Sequence, residues 1–209
     1  MIKVLLFDLD GVIANGEPFS KQLASQYGIT QDMTAHFFRG RFLDCLVGKA
    51  DLKEELEVLL PDWGWEKSTE EFLREWFEYE HRLDTQLLSF VEQLRARGKH
   101  CYIATNQEQY RTTYALNEMG LDRQFDGIFS SVHAGYMKNE PAFFEYVLQQ
   151  LPGVQANEVL FWDDSPGNVE TARRVGLQAE IYTGFADFVK KMDGYMISSD
   201  KLPPSDHSS

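Results

Sequence analysis

The chain is poor in cysteine, in long apolar runs and in positive charge, and each shortage removes a class of protein. Only Cys45 and Cys101 occur in 209 residues, far apart and without metal-ligand spacing. That excludes a disulfide framework and a cysteine-built zinc site, and makes a reducing cytoplasm the expected setting. The N-terminal apolar stretch breaks at Asp8, too short for the apolar part of a secretory signal, and no run approaches the length of a membrane span. Lys and Arg number 20 against 33 Asp and Glu, a formal net charge of −13. Nucleic acid or an anionic membrane would be repelled over most of such a surface, so neither is expected as a partner. An anionic small substrate would need a local positive site, from a metal ion, a lysine or aligned backbone N–H groups.

What the chain does have is apolar and aromatic residues, 43% and 13% of the total, enough for one good core or one core with a small appended unit. A monomer is the default expectation for that size. Val4 to Phe7 is a short apolar run that leads into Asp8-Leu9-Asp10-Gly11-Val12. Such a run reads as a strand buried on both faces, in the middle of a parallel sheet whose carboxyl edge binds ligands. On an extended backbone Asp8 and Asp10 start on the same side and repel unless a cation or proton is shared. Four further runs look like strands: His100 to Ala104, Gly127 to Phe129, Val159 to Trp162 and Ala179 to Tyr182. Helix-like stretches alternate with them: Leu87 to Arg97, Gln107 to Met119, Pro141 to Leu151 and Val169 to Val175. Three are closed by Gly98, Gly120 and Gly176. The alternation predicts a doubly wound α/β fold with a parallel sheet.

From about Asn15 to Arg82 the pattern is helical without a convincing strand, which predicts a separate inserted unit (15–82) in a discontinuous core (1–14 and 83–197). Phe19, Leu23 and Tyr27 share a helix face, and Ser68 with Glu71 forms a capping box ahead of Phe72, Leu73, Trp76 and Phe77. These aromatics are expected to be the unit's own core. Arg39, Arg41 and Lys49 are candidate substrate contacts, weighed against a solvated basic face. Residues 198–209, polar and carrying Pro203-Pro204, are expected to form a disordered tail.

Three more strand ends carry polar residues. The second is followed by Thr105-Asn106, read as the start of a helix; the third by a turn holding Lys138 ahead of Pro141; the fourth by Asp163-Asp164-Ser165. A doubly wound sheet gathers these ends on one edge. Hard oxygen ligands without histidine or cysteine favour magnesium over zinc, and magnesium commonly bridges carboxylates to a phosphate.

The ordered set Asp8-Leu9-Asp10-Gly11-Val12, Thr105-Asn106, Lys138 with Pro141 three residues on, and Asp163-Asp164 resembles the haloacid dehalogenase-like superfamily over most of the chain. Many relatives have Lys-Pro-x-Pro at the third motif, and here the first proline is Asn139. The resemblance implies a Rossmann-like core with a helical cap and a magnesium-dependent phosphatase acting on a small phosphorylated metabolite. Asp8 would be the nucleophile that forms an aspartyl-phosphate, and Asp10 the general acid and then base. Acting first as an acid requires a carboxyl that keeps its proton at neutral pH, and so a raised pKa, which neighbouring negative charge can supply. Asp8, the Asp10 carbonyl, Asp164 and, directly or through water, Asp163 would bind magnesium; Thr105, Asn106 and Lys138 would hold the phosphate oxygens. A sugar-phosphate mutase is the alternative. A haloacid dehalogenase ranks lower, because carbon–halogen cleavage has no alkoxide for Asp10 to protonate.

Overall fold

The computed structural model describes residues 1–195; the expected tail lies outside them. Strands β1 (Val4–Phe7), β2 (His100–Thr105), β3 (Ile128–Ser130), β4 (Val159–Asp163) and β5 (Gln178–Ile181) form one sheet in the order β3-β2-β1-β4-β5, with every neighbouring pair parallel. All four residues of β1 are buried because the sheet is covered on both faces. Leu5 and Phe7 join a cluster with Leu87, Val91 and Phe188, whereas Val4 and Leu6 join Phe143, Phe144 and Val147 on the other side. An uninterrupted apolar run is what such a position requires.

Local signals set the helices. Asp84 caps Thr85–Ala96 by accepting from the N–H groups of Gln86 and Leu87, each at 3.0 Å, and prolines open Pro141–Gln149 and Pro166–Arg174. The edge strands are shifted by a residue from the sequence reading, and Tyr182 lies just past β5 with its N–H on the Asp163 carbonyl at 2.9 Å. Pro166 rather than Val169 begins the helix after β4. Phe185–Tyr195, a closing helix not foreseen, buries Phe188 and Met192.

Between β1 and the helix Thr85–Ala96 the chain is helical: Phe19–Gln22 running into a π-helical turn, Leu23–Tyr27, then Gln31–Phe38, Arg41–Leu46, Leu52–Leu59 and Thr69–Glu80. These helices enclose an aromatic core of their own that includes Phe19, Phe37, Trp63, Trp65, Phe72 and Phe77. The capping box is present: Glu71 N–H donates to Ser68 Oγ at 3.2 Å, and the Glu71 carboxylate accepts from Ser68 N–H at 3.1 Å. The entering and leaving segments run side by side, joined by Asn15 N–H to the Arg82 carbonyl (2.8 Å) and Asp84 N–H to the Ile13 carbonyl (2.9 Å). Among the described residues no helix is long and apolar enough to cross a membrane. Cys45 and Cys101 are both buried and unpaired, one in each unit.

Candidate active site

The parallel sheet delivers the ends of β1, β2 and β4 to one edge, where they line a cleft of about 470 Å³ with Asp8, Asp10, Thr105, Asn106, Lys138, Asp164 and Asn168 on its walls. β1 stops at Phe7, so the strand alternation expected to align Asp8 with Asp10 does not apply. The chain turns, and the two carboxylates meet different partners.

Asp8 is 7% exposed. Its Oδ1 accepts from Leu9 N–H at 2.7 Å and pairs with Lys138 Nζ at 2.5 Å. Lys138, 2% exposed, also reaches Asp163 Oδ2 at 2.7 Å. Its backbone N–H donates to Asn106 Oδ1 at 2.8 Å, which ties the loop before Pro141 to the end of β2 without the missing proline. Asp163, fully buried, accepts in addition from Ser165 N–H (2.8 Å) and from the Asn168 amide (3.1 and 3.2 Å). Two carboxyl groups thus share one ammonium in this buried triad. Burial pushes the Asp8 carboxyl up to about 8; Lys138 pulls it down, and Asp163 and Asp10 add to the rise. Burial alone would depress the Lys138 ammonium, but Asp8 and Asp163 outweigh it and hold it above its ordinary value.

Carboxylate oxygens of Asp8, Asp163 and Asp164 lie within 4.8 Å of one another. Burial and the charge of Asp163 raise the Asp164 carboxyl. Gly11 is what allows this approach. Its φ is +81°, and a Cβ built there would stand 2.3 Å from Asp164 Oδ2.

Asp10 faces the junction with the helical unit. It accepts from the Gln107 amide on Oδ2 and from Arg111 Nη2 on Oδ1 at 3.3 Å. Arg111, whose side chain is 3% exposed, also reaches Glu80 Oε2 at 3.4 Å and the Phe77 carbonyl at 3.4 Å. Asp10 thus meets donors, where the sequence reading looked to negative neighbours. Gln107, Arg111 and Glu80 were not foreseen, because an isolated arginine within a helix reads as a solvated face until the tertiary fold buries it. The sequence reading sets Thr105-Asn106 just before a helix from Gln107, whereas the helix begins at Gln109 with Glu108 as its cap, so Thr105 ends β2 and Asn106 lies in the loop.

None of Arg39, Arg41 and Lys49 lines this cleft. Arg41 pairs with Asp44 (3.0 Å) and Glu55 (2.8 Å), Lys49 lines a separate cleft beside Asp51, and Arg39 borders a cavity inside the helical unit.

A parallel doubly wound sheet with an acidic cleft at its carboxyl edge has the ligand-binding arrangement of open α/β folds. The family model of haloacid dehalogenase-like hydrolases matches residues 2–176, and the chain belongs to that family. Among curated proteins it is 35% identical over 97 residues to the sesquiterpene phosphatase astK of Aspergillus oryzae, covering 46% of this chain and 48% of that one. It is 29% identical over 91 residues to the GMP/IMP nucleotidase YrfG of Escherichia coli, covering 44% and 40%. The chain spans less than half the length of either relative. The fold is similar to that of a HAD family enzyme of Bacteroides thetaiotaomicron, with TM-score 0.79 and 21% identity over 91% of this chain and 98% of that one. That enzyme has also been solved in complex with magnesium and inorganic phosphate.

Proposed function

We propose that this protein is a magnesium-dependent phosphatase that hydrolyses a small phosphate monoester through Asp8, with residues 15–82 acting as a cap over the cleft. The observation that carries the reading is a buried lysine locked between Asp8 and Asp163 at the sheet edge, with Asp164 beside them. The phosphatase and nucleotidase among the relatives, and the magnesium and phosphate held by the Bacteroides enzyme, support the same chemistry.

The donor set fits magnesium: hard oxygens, three carboxyl groups gathered beside a single ammonium, and a glycine where a side chain would displace Asp164. Asp8, Asp164 and the Asp10 carbonyl would hold the ion. Asp163, with both oxygens already accepting hydrogen bonds, would act through water while fixing Lys138. Bound there, the cation offsets the phosphate's charge so that an anionic nucleophile can approach it.

The Asp8 carboxylate attacks phosphorus, forming an aspartyl-phosphate as the bond to the leaving oxygen breaks, and Asp10 gives that oxygen a proton. Asp10 then takes a proton from the water that attacks the same phosphorus, releasing phosphate and restoring Asp8. Lys138, Thr105 and Asn106 hold the non-bridging oxygens as charge spreads over them. Arg111 and Gln107 fix the Asp10 carboxylate against the leaving group. The test is phosphate release from a panel of small phosphate monoesters, with magnesium or with chelator, by the native protein and Asp8→Asn. Magnesium-dependent release lost in the variant is expected. An isomeric sugar phosphate in place of free phosphate would mean a mutase, and halide release from 2-haloacids without magnesium a dehalogenase.

A further inference from the structure

We infer that the leaving group of this substrate is an apolar alcohol, seated in the cavity inside the helical unit; the inference rests on the phosphatase reading and names its substrate class. The cavity, partly open to solvent, has a volume of about 370 Å³, and its apolar walls are Pro18, Phe19, Leu23, Ala35, Phe38 and Trp76. Pro18 and Glu80 line both this cavity and the cleft that holds Asp8. Trp76 and Glu80, one helical turn apart, also line a smaller space that reaches Asp10, where a leaving group emerges. A phosphate ester bound at Asp8 therefore has one large apolar compartment beside it.

The polar groups of the cavity argue against a sugar or a nucleobase. Thr34 donates its hydroxyl to the Gln31 carbonyl at 3.3 Å, and Ser20 Oγ accepts from Gln31 Nε2 at 3.1 Å. Glu80 is occupied by Phe19 N–H at 3.0 Å and by Arg111. Three exposed polar side chains, Gln31, Asp32 and Arg39, also line it and face water. Hydroxyls or ring nitrogens placed inside would lose water and find few free partners, a penalty that an alkyl or prenyl chain escapes. The aromatic walls serve such a chain by contact area alone.

Binding of n-alkyl phosphates from ethyl to decyl, and of IMP, to full-length Asp8→Asn with magnesium separates the two claims when native turnover of the same esters is measured in parallel. Affinity is expected to rise by up to about fourfold per methylene and to exceed that for IMP. Ala35→Phe, which fills the cavity from the helix Gln31–Phe38, should flatten the series, its fold being checked by circular dichroism. Val58→Phe, on an exposed position of the same unit outside the cavity, should keep the series of the parent. A flat series in the parent, a rise that survives Ala35→Phe, or tighter binding of IMP than of decyl phosphate would overturn the inference. Absence of turnover alongside chain-length-dependent binding would instead remove the phosphatase reading and leave the apolar site.

Discussion

Replacing Lys138 with methionine removes the one ammonium that stands between two buried carboxylates. The side chains are similar in length, so the change is mainly one of charge. Asp163 keeps Ser165 N–H and the Asn168 amide, but Asp8 keeps only Leu9 N–H. The loss therefore falls on Asp8, 7% exposed and 2.5 Å from the lysine in the native protein. Breaking a buried pair by deleting one partner costs about 3–5 kcal/mol. The lower end, about 3 kcal/mol, fits a site where Asp163 remains satisfied, and corresponds to roughly 6–12 °C in melting temperature for a chain of this size. The sign with pH follows from proton binding. Burial already holds the Asp8 carboxyl far above its ordinary value, and losing Lys138 raises it further. Both folds keep the Asp8 proton that the unfolded chain sheds from about pH 4, so the deficit relative to native is level up to about pH 8 and grows above it, where the native fold releases that proton and the variant retains it. Urea unfolding of both proteins in chelator at about pH 6 and about pH 9.5 reads this directly. A deficit below about 1 kcal/mol at about pH 9.5, or one that is larger at about pH 6, would refute the reasoning.

Other consequences concern neighbouring groups. Gly11→Ala places a methyl 2.3 Å from Asp164 Oδ2 on a backbone with φ +81°, so magnesium affinity by calorimetry should fall about 10–100-fold, and unchanged affinity would remove Asp164 from the ion site. Arg111→Met frees Asp10 from one of its two donors and should lower kcat about 10–100-fold with little change in KM, partly restored by Arg111→Lys. Glu108, 2% exposed, has its carboxyl pushed up to about 7 by burial, against the N–H groups of Tyr110 and Arg111. Between about pH 4.5 and pH 7 the folded protein keeps a proton that the unfolded chain has lost, so stability declines over that window by up to about 3 kcal/mol. Glu108→Gln should flatten this component in equilibrium unfolding, and an unaltered slope would contradict it.

How far these groups could be read from the sequence depends on whether their signal is local. β1 was legible because four apolar residues ending in an aspartate leave few alternatives, and the order of strand ends carried the cleft with it. The Ser68–Glu71 box was legible because its partners are three residues apart. The edge strands are harder, since Gln178 and Glu180 in β5 break the apolar run that marks a buried strand. The surroundings of Asp10 were hidden for a different reason. Gln107 is 97 residues away, Arg111 101 residues, and only the fold turns them into its partners. Asp163 was visible as an acid at a strand end. That its oxygens would be taken up by Lys138, Ser165 and Asn168 required the loops themselves.

The central claim is that Asp8 carries the phosphoryl group during turnover. Rapid acid quench of the native enzyme with magnesium and its best substrate, followed by mass analysis of the N-terminal peptide, tests it most directly. A phosphate-bearing peptide with the modification on Asp8, absent from Asp8→Asn and from reactions in chelator, is the predicted result. Turnover in Asp8→Asn at the native rate, or phosphate carried on any other residue, would contradict the account.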